Sequence, residues 1–140
     1  MTTATPEPRY SRSATWLGHV LTAATVTVLL ADAAVNLLAP DLIRAQIESS
    51  GFVVERARWI GGIALACAIL YALPRTAFLG AILVTGFLGG AICVHLRLGE
   101  FGSPPQLVAL LLGAIAWGGL YLRDIRIRVL LPLRALPHRR

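Results

Sequence analysis

A run of apolar and small residues between Pro74 and Glu100 limits the folds open to this chain more than any other stretch. Its sequence is PRTAFLGAILVTGFLGGAICVHLRLGE, which begins with a proline and an arginine and ends with a polar tip that holds His95 and Arg97. A helix of about twenty such residues, rising ~1.5 Å per residue, spans the roughly 30 Å hydrocarbon layer of a bilayer. The stretch therefore predicts a membrane-spanning helix.

Three further stretches have a similar length and composition, so the sequence predicts an all-α integral membrane four-helix bundle. The predicted spans cover residues 14–38, 57–73, 76–97 and 104–122. Charged residues make up 14% of the chain, whereas soluble domains have about 25%, so we expect lipid around most of it. Residues 14–123 would form the bundle, residues 1–13 a disordered cytoplasmic lead, and residues 124–140 a basic cytoplasmic tail that settles on anionic lipid headgroups.

The longest internal connection, residues 39–56, predicts a short amphipathic helix that lies on the outer membrane surface. Pro40 and Asp41 indicate its start, and Ser49, Ser50 and Gly51 indicate its end. Between these signals, apolar residues alternate with polar ones, as expected at an interface.

The arginines predict the orientation. Nine of the thirteen would lie on the side that holds both termini, namely Arg9, Arg12, Arg75, Arg123, Arg126, Arg128, Arg134, Arg139 and Arg140. The positive-inside rule then places both termini in the cytoplasm, with the chain crossing the plasma (inner) membrane several times. Because the arginines sit at segment ends and are not interleaved with aromatic residues, the high net charge of +6 does not indicate nucleic-acid binding.

In this orientation, most polar residues of the spans fall in one outward-facing layer. Asp32 and Asn36 are one turn apart, and an Asp inside a bilayer, which costs ~2.5–3.5 kcal/mol to insert, normally faces protein or water and marks a functional site. The alternative is that Asp32 is wetted near the span end or merely bonds a neighbouring helix. The candidate ligand-binding residues are Asp32, Asn36, Trp59, His95, Arg97 and Gln106.

Small residues predict close helix packing at two places. Ala57, Gly61, Ala64 and Ala68 form a stripe on the second span, and Gly86 and Gly90 form a GxxxG pair on the third. The two cysteines, Cys67 and Cys93, are interpreted as small apolar side chains. They show no metal-ligand spacing, so the sequence predicts no metal site.

The stretch PRTAFLGAILVTGFLGGAICVHLRLGE resembles the DoxX-like family of small four-helix membrane proteins. LLADAAVNLL in the first span also resembles that family, as does WGGLYLRDIRIRVLLPLR, which ends the last span and continues into the basic tail. The resemblance covers about residues 15–134. It implies a plasma-membrane bundle and a link to redox systems, because the family name traces to a subunit linked with thiosulfate:quinone oxidation. Members often carry a Lys one turn after the Asp; Asn36 stands there in this chain, so an Asp–Lys ion pair is absent.

Three functions are compatible with these features. In the first, the outer layer binds a lipophilic small molecule, such as a quinone, as an accessory to a membrane redox partner, and no covalently bound cofactor is implied. In the second, a structural or assembly subunit docks a partner span, or a second copy, through its small-residue faces. In the third, an isomerase or hydrolase uses Asp32 as general base, His95 as general acid and Arg97 to stabilise negative charge.

Overall fold

The computed structural model describes residues 12–130, which are helical apart from short turns. The long helices are α1 (Arg12–Leu38), α3 (Ala57–Ala72), α4 (Ala77–Arg97) and α5 (Pro104–Arg123), and the short ones are α2 (Arg44–Ser49) and α6 (Ile125–Leu130). No strand occurs within this part of the chain, and the predicted all-α fold is confirmed. Most of the predicted lead and the second half of the predicted tail lie outside the described residues.

Within residues 12–130, three helices, α1, α4 and α5, have the length and apolar composition needed to cross a membrane. They lie close to the predicted spans 14–38, 76–97 and 104–122. The fourth predicted span, 57–73, corresponds to α3, which has 16 residues and a length of about 24 Å. A 3-10 turn over Val54–Arg56 leads directly into α3.

Each long helix packs against two others: α1 and α4 both contact α3 and α5. The predicted small-residue stripe of α3 is buried in this packing, with Ala57, Ala64 and Ala68 fully covered. A Cβ atom added at Gly61 would lie 2.9 Å from the Cβ atom of Asn36 and 3.1 Å from the carbonyl oxygen of Ala33. Glycine therefore permits the close approach of α1 and α3.

The turn between α3 and α4 brings the two helices into backbone contact. The Thr76 hydroxyl donates a hydrogen bond of 2.8 Å to the carbonyl oxygen of Leu70. A Cβ atom added at Gly80 would lie 2.6 Å from the carbonyl carbon of Leu70 and closer still to the backbone of Tyr71. The tight turn between α3 and α4 thus depends on a glycine one turn into α4.

The GxxxG pair of α4 lies on a different face of the helix. Cβ atoms added at Gly86, Gly89 and Gly90 would have no neighbour within 4 Å in the described part of the chain. The face that these three glycines form, called the glycine face below, is therefore open to the surroundings of the chain.

At the end of the bundle where α3 meets α4, Tyr71 joins three helices. Its ring is fully buried, and its hydroxyl donates a 2.6 Å hydrogen bond to the carbonyl oxygen of Ala116 on α5. The Thr22 hydroxyl on α1 lies 3.5 Å from the Tyr71 hydroxyl oxygen. The guanidinium of Arg123 donates to the carbonyl oxygen of Tyr71 at 2.9 Å, so the polar groups here are used within the fold.

The first part of the predicted tail is helix α6, which packs back on the bundle. Ile127 is buried against the core. Arg128 donates a 2.6 Å hydrogen bond from Nε to the carbonyl oxygen of Tyr121 and a second bond to Leu122. Carbonyls at a helix end lack partners within the helix, so Arg128 satisfies the end of α5.

Candidate functional site

The predicted polar residues gather at one end of the bundle, where α1 and α4 end and α3 and α5 begin; we call it the connection end because residues 39–56 cover it. Within that end they do not form one layer around one ligand. They divide into a pair on α1, an arginine tether to the connection, and a cleft beside the loop between α4 and α5.

Asp32 and Asn36 form the pair on α1, and they share a face as predicted. The Asn36 side-chain amide donates to the Asp32 carbonyl oxygen at 2.9 Å and to Oδ1 at 3.3 Å. The other carboxylate oxygen, Oδ2, is buried and has no hydrogen-bond partner within residues 12–130. Because Asn36 also packs against Gly61, the pair belongs to the contact between α1 and α3.

Arg97 holds the connection to the end of α4. Its guanidinium donates a 2.8 Å hydrogen bond to the carbonyl oxygen of Ser50, next to Gly51, which has a φ of 75°. A side chain at Gly51 would meet the guanidinium, since an added Cβ would lie 2.8 Å from the terminal nitrogen. Arg97 and His95 bond different groups, the Ser50 carbonyl and the Glu100 carboxylate.

Replacing Arg97 with alanine is expected to loosen the connection. The bond to Ser50 is a side-chain link between α4 and residues 44–51, so amide hydrogens there should exchange several-fold faster once it is lost. Hydrogen exchange followed by mass spectrometry would measure this in detergent. Arg58→Ala, an exposed arginine at the start of α3, is the matched control. Equal exchange in both variants would show that the tether does not hold the connection.

The cleft has a volume of about 430 Å³ and lies between the end of α2 and the loop that joins α4 to α5. It is called the outer cleft below, after the predicted outward-facing layer, and it is lined by Gln46, Ser49, Ser50, His95, Leu98, Glu100, Ser103, Pro104 and Pro105. Of the predicted site residues, His95 alone is among these. Asp32, Asn36, Arg97 and Gln106 lie at the same end but outside the lining, and Trp59 is 77% exposed at the start of α3.

A histidine–carboxylate pair lies in the wall of the cleft. His95 Nδ1 is 2.6 Å from Glu100 Oε2, and the His95 side chain is 15% exposed whereas that of Glu100 is 49% exposed. Nε2 of His95 forms no hydrogen bond with any residue between 12 and 130. A carboxylate at this distance fixes the ring orientation, as it does for catalytic and metal-bound histidines.

Ser103 contributes an unused hydroxyl to the same cleft. It precedes α5 at the N-cap position, where a serine usually bonds a backbone amide of the first turn, yet its hydroxyl makes no such bond. Its oxygen is buried and lacks a partner among the described residues. Gln106 instead ties the loop down, since its Oε1 accepts from the Gly102 amide at 2.8 Å.

The charges near the cleft are mostly neutralised by one another. On the connection, Arg44 pairs with Asp41 at 2.5 Å and with Glu48 at 3.6 Å. The hydrogen bond to Asp41 raises the pKa of the Arg44 guanidinium, so this arginine stays charged within its own cluster. Within residues 12–130, no three His, Cys, Asp or Glu side chains come together as a metal-binding group would require.

Sequence reasoning found His95 but missed most of its surroundings. Glu100 ends the apolar stretch that begins at Pro74. The Gly and Pro content of residues 99–105 predicts a loop there. The pairing of His95 with Glu100, five residues later, needs the helix to end at Arg97 and the chain to turn back through Gly99, whose φ is 76°. Gln46 and Ser103 meet at the cleft through tertiary packing that no local spacing encodes.

The comparison with known protein families bears on the whole bundle. Residues 20–119 match the model of the DoxX-like family, which covers most of the chain from α1 to the last turn of α5. The chain belongs to the DoxX-like family. The match includes His95, Glu100 and Ser103. No curated protein and no solved structure matches this DoxX-like chain.

Proposed function

We propose that this DoxX-like membrane protein binds the polar head of a lipophilic small molecule, such as a quinone, in the outer cleft. The observation that carries the proposal is the paired His95 beside an unused Ser103 hydroxyl in a cleft of about 430 Å³. Ligand sites in proteins combine a concave surface with a few precisely placed polar groups. An oriented histidine and a free hydroxyl meet that description.

The position of the cleft suits a molecule that is partly dissolved in lipid. The cleft opens where α4 ends and α5 begins, beside large apolar side chains that are exposed on both helices, such as Leu96 and Leu107. An apolar tail would extend along these helices while the head group enters the cleft. In this proposal the chain binds the ligand, and a membrane partner would transfer electrons to or from it.

The proposal also includes the orientation that the arginine distribution predicts. Both termini would lie in the cytoplasm of a cell whose plasma membrane holds the protein, with α3 as a fourth crossing. The outer cleft would then open toward the outside. Ligands that arrive from the outer leaflet would reach it without crossing the membrane.

Replacing His95 with phenylalanine should remove the bound molecule. We expect native mass spectrometry of wild-type protein in mild detergent to show a co-purifying small lipophilic molecule, and occupancy about tenfold lower in His95→Phe, the loss expected for ~1.4 kcal/mol of hydrogen bonding. His19→Phe is the matched control, because His19 is exposed on α1 and its ring bonds the Thr15 carbonyl of its own helix.

Two results would count against this function. Equal occupancy in His95→Phe and wild type would show that the cleft does not hold the ligand. Loss in Asp32→Asn with retention in His95→Phe would move the site to the contact between α1 and α3. The acid–base pairing of Asp32 with His95 stays a prediction, since the two residues share neither a hydrogen bond nor the cleft lining within residues 12–130.

A second candidate function is assembly, and the open glycine face of α4 favours it. Gly86 and Gly90 match the small-residue motif that brings membrane helices together, and they have no packing neighbour within residues 12–130. The same native mass spectra distinguish the two functions. A wild-type protein that carries no small molecule and co-purifies with a second copy or a partner protein would support assembly.

A further inference from the structure

The hydrogen-bonding state of His95 limits what the outer cleft can bind. Glu100 Oε2 lies 2.6 Å from Nδ1, and an ionised carboxylate can only accept hydrogen bonds. The proton of the neutral ring must therefore lie on Nδ1, which leaves Nε2 as an acceptor. With Nδ1 committed, Nε2 forms no bond among residues 12–130 and is the nitrogen left for a ligand.

We propose that the outer cleft selects a lipophilic molecule whose head carries a hydroxyl donor, a phenol or the reduced form of a quinone, over one whose head offers a carbonyl or an ether. This inference rests on the proposed function and narrows it. The hydroxyl hydrogen of the ligand bonds Nε2 of His95. The hydroxyl oxygen accepts a bond from Ser103, whose own hydroxyl has no other partner in the described chain.

The charges around the cleft support a neutral head. Among the described residues, Glu100 is the one carboxylate in the lining, and no arginine lines the cleft. Arg97 is committed to the Ser50 carbonyl, and Arg44 pairs with Asp41 and Glu48. An anionic head such as a phosphate would meet a carboxylate and no free cation, so a neutral hydroxyl group fits these surroundings better.

The test compares a long-chain 4-alkylphenol with its methyl ether, two probes that share ring and tail and differ in the donor. Binding to the detergent-purified protein is followed by native mass spectrometry. We expect the phenol to bind about tenfold tighter, the factor expected for one hydrogen bond of ~1.4 kcal/mol.

Glu100→Gln shows whether the phenol preference comes from hydrogen bonding or from the shape of the probe in the cleft. A glutamine can donate as well as accept, so it no longer fixes the proton on Nδ1, and the phenol preference should fall to about twofold or less. Glu48→Gln is the matched control, because Glu48 is exposed on α2 and outside the lining. It should keep the full preference.

The possible failures are distinguishable. The donor selection would be overturned if phenol and ether bound the wild type equally, or if the preference were unchanged in Glu100→Gln. The proposed function would still be supported if the co-purifying ligand were lost in His95→Phe. If neither probe binds and the purified protein is empty, both the proposed function and this inference are refuted.

Discussion

Replacing Gly80 with alanine is expected to lower the free energy of unfolding of the bundle by about 3 kcal/mol or more, at the upper end of overpacking effects. The added Cβ would lie 2.6 Å from the carbonyl carbon of Leu70 and closer to the backbone of Tyr71. Backbone atoms cannot rotate away as a side chain can. The turn between α3 and α4 would have to open, which also disturbs the packing around Tyr71.

Gly86→Ala is the matched control on the same helix. It adds the same methyl group where no atom lies within 4 Å, and alanine favours helix over glycine by up to about 1 kcal/mol. Unfolding in mild detergent by titrated denaturing detergent, followed by circular dichroism, would compare the two. Similar stabilities for Gly80→Ala and Gly86→Ala would show that α3 and α4 are not in backbone contact.

Replacing Tyr71 with alanine is expected to lower the free energy of unfolding by about 3–4 kcal/mol, as for other large buried aromatic residues. The ring is fully covered, and its removal leaves a cavity between α1, α3 and α5. The carbonyl of Ala116 also loses a 2.6 Å hydrogen bond.

Tyr71→Phe separates the hydroxyl from the ring. It keeps the packing and should lower the stability by about 1 kcal/mol. Phe101→Ala, which removes an aromatic ring that is 80% exposed, should have little effect. If Tyr71→Ala unfolds no more easily than Phe101→Ala, the three-helix contact at Tyr71 does not hold the bundle together. None of the substituted residues is in the lining of the outer cleft. An unchanged ligand occupancy would therefore show that a variant is folded.

Apolar length and turn chemistry were sufficient to predict the four long helices, whereas α6 lies in the stretch that was predicted as a tail. The ends of α4 and α5 follow from Pro74, the Gly and Pro residues of the loop over 99–105, and the charges after Leu122. The small-residue stripe of α3 predicted a packed face, and it is packed. The same reasoning could not tell that the glycine face of α4 lies open, because GxxxG describes a surface and not its partner.

The candidate site was predicted less completely, for a physical reason. Asp32, Asn36, His95 and Arg97 were placed at one end by the alternating direction of the helices, which sequence can supply. Their division into separate clusters depends on helix rotation and on where the connection lies, both of which tertiary contacts decide. Arg97 was expected to serve a ligand, yet its guanidinium bonds the chain itself.

With α3 as the proposed fourth crossing, the unequal lengths of the packed helices would affect the surrounding bilayer. α1 has 27 residues and α3 has 16, so their lengths differ by about 16 Å. The hydrophobic surface that α1 presents to lipid is taller than that of α3. Hydrophobic mismatch of this kind is relieved by tilting the long helix and thinning the membrane at the short one. A thinned patch beside α3 would let water reach the Asp32–Asn36 pair, and the protein would favour thin membranes over thick, sterol-rich ones.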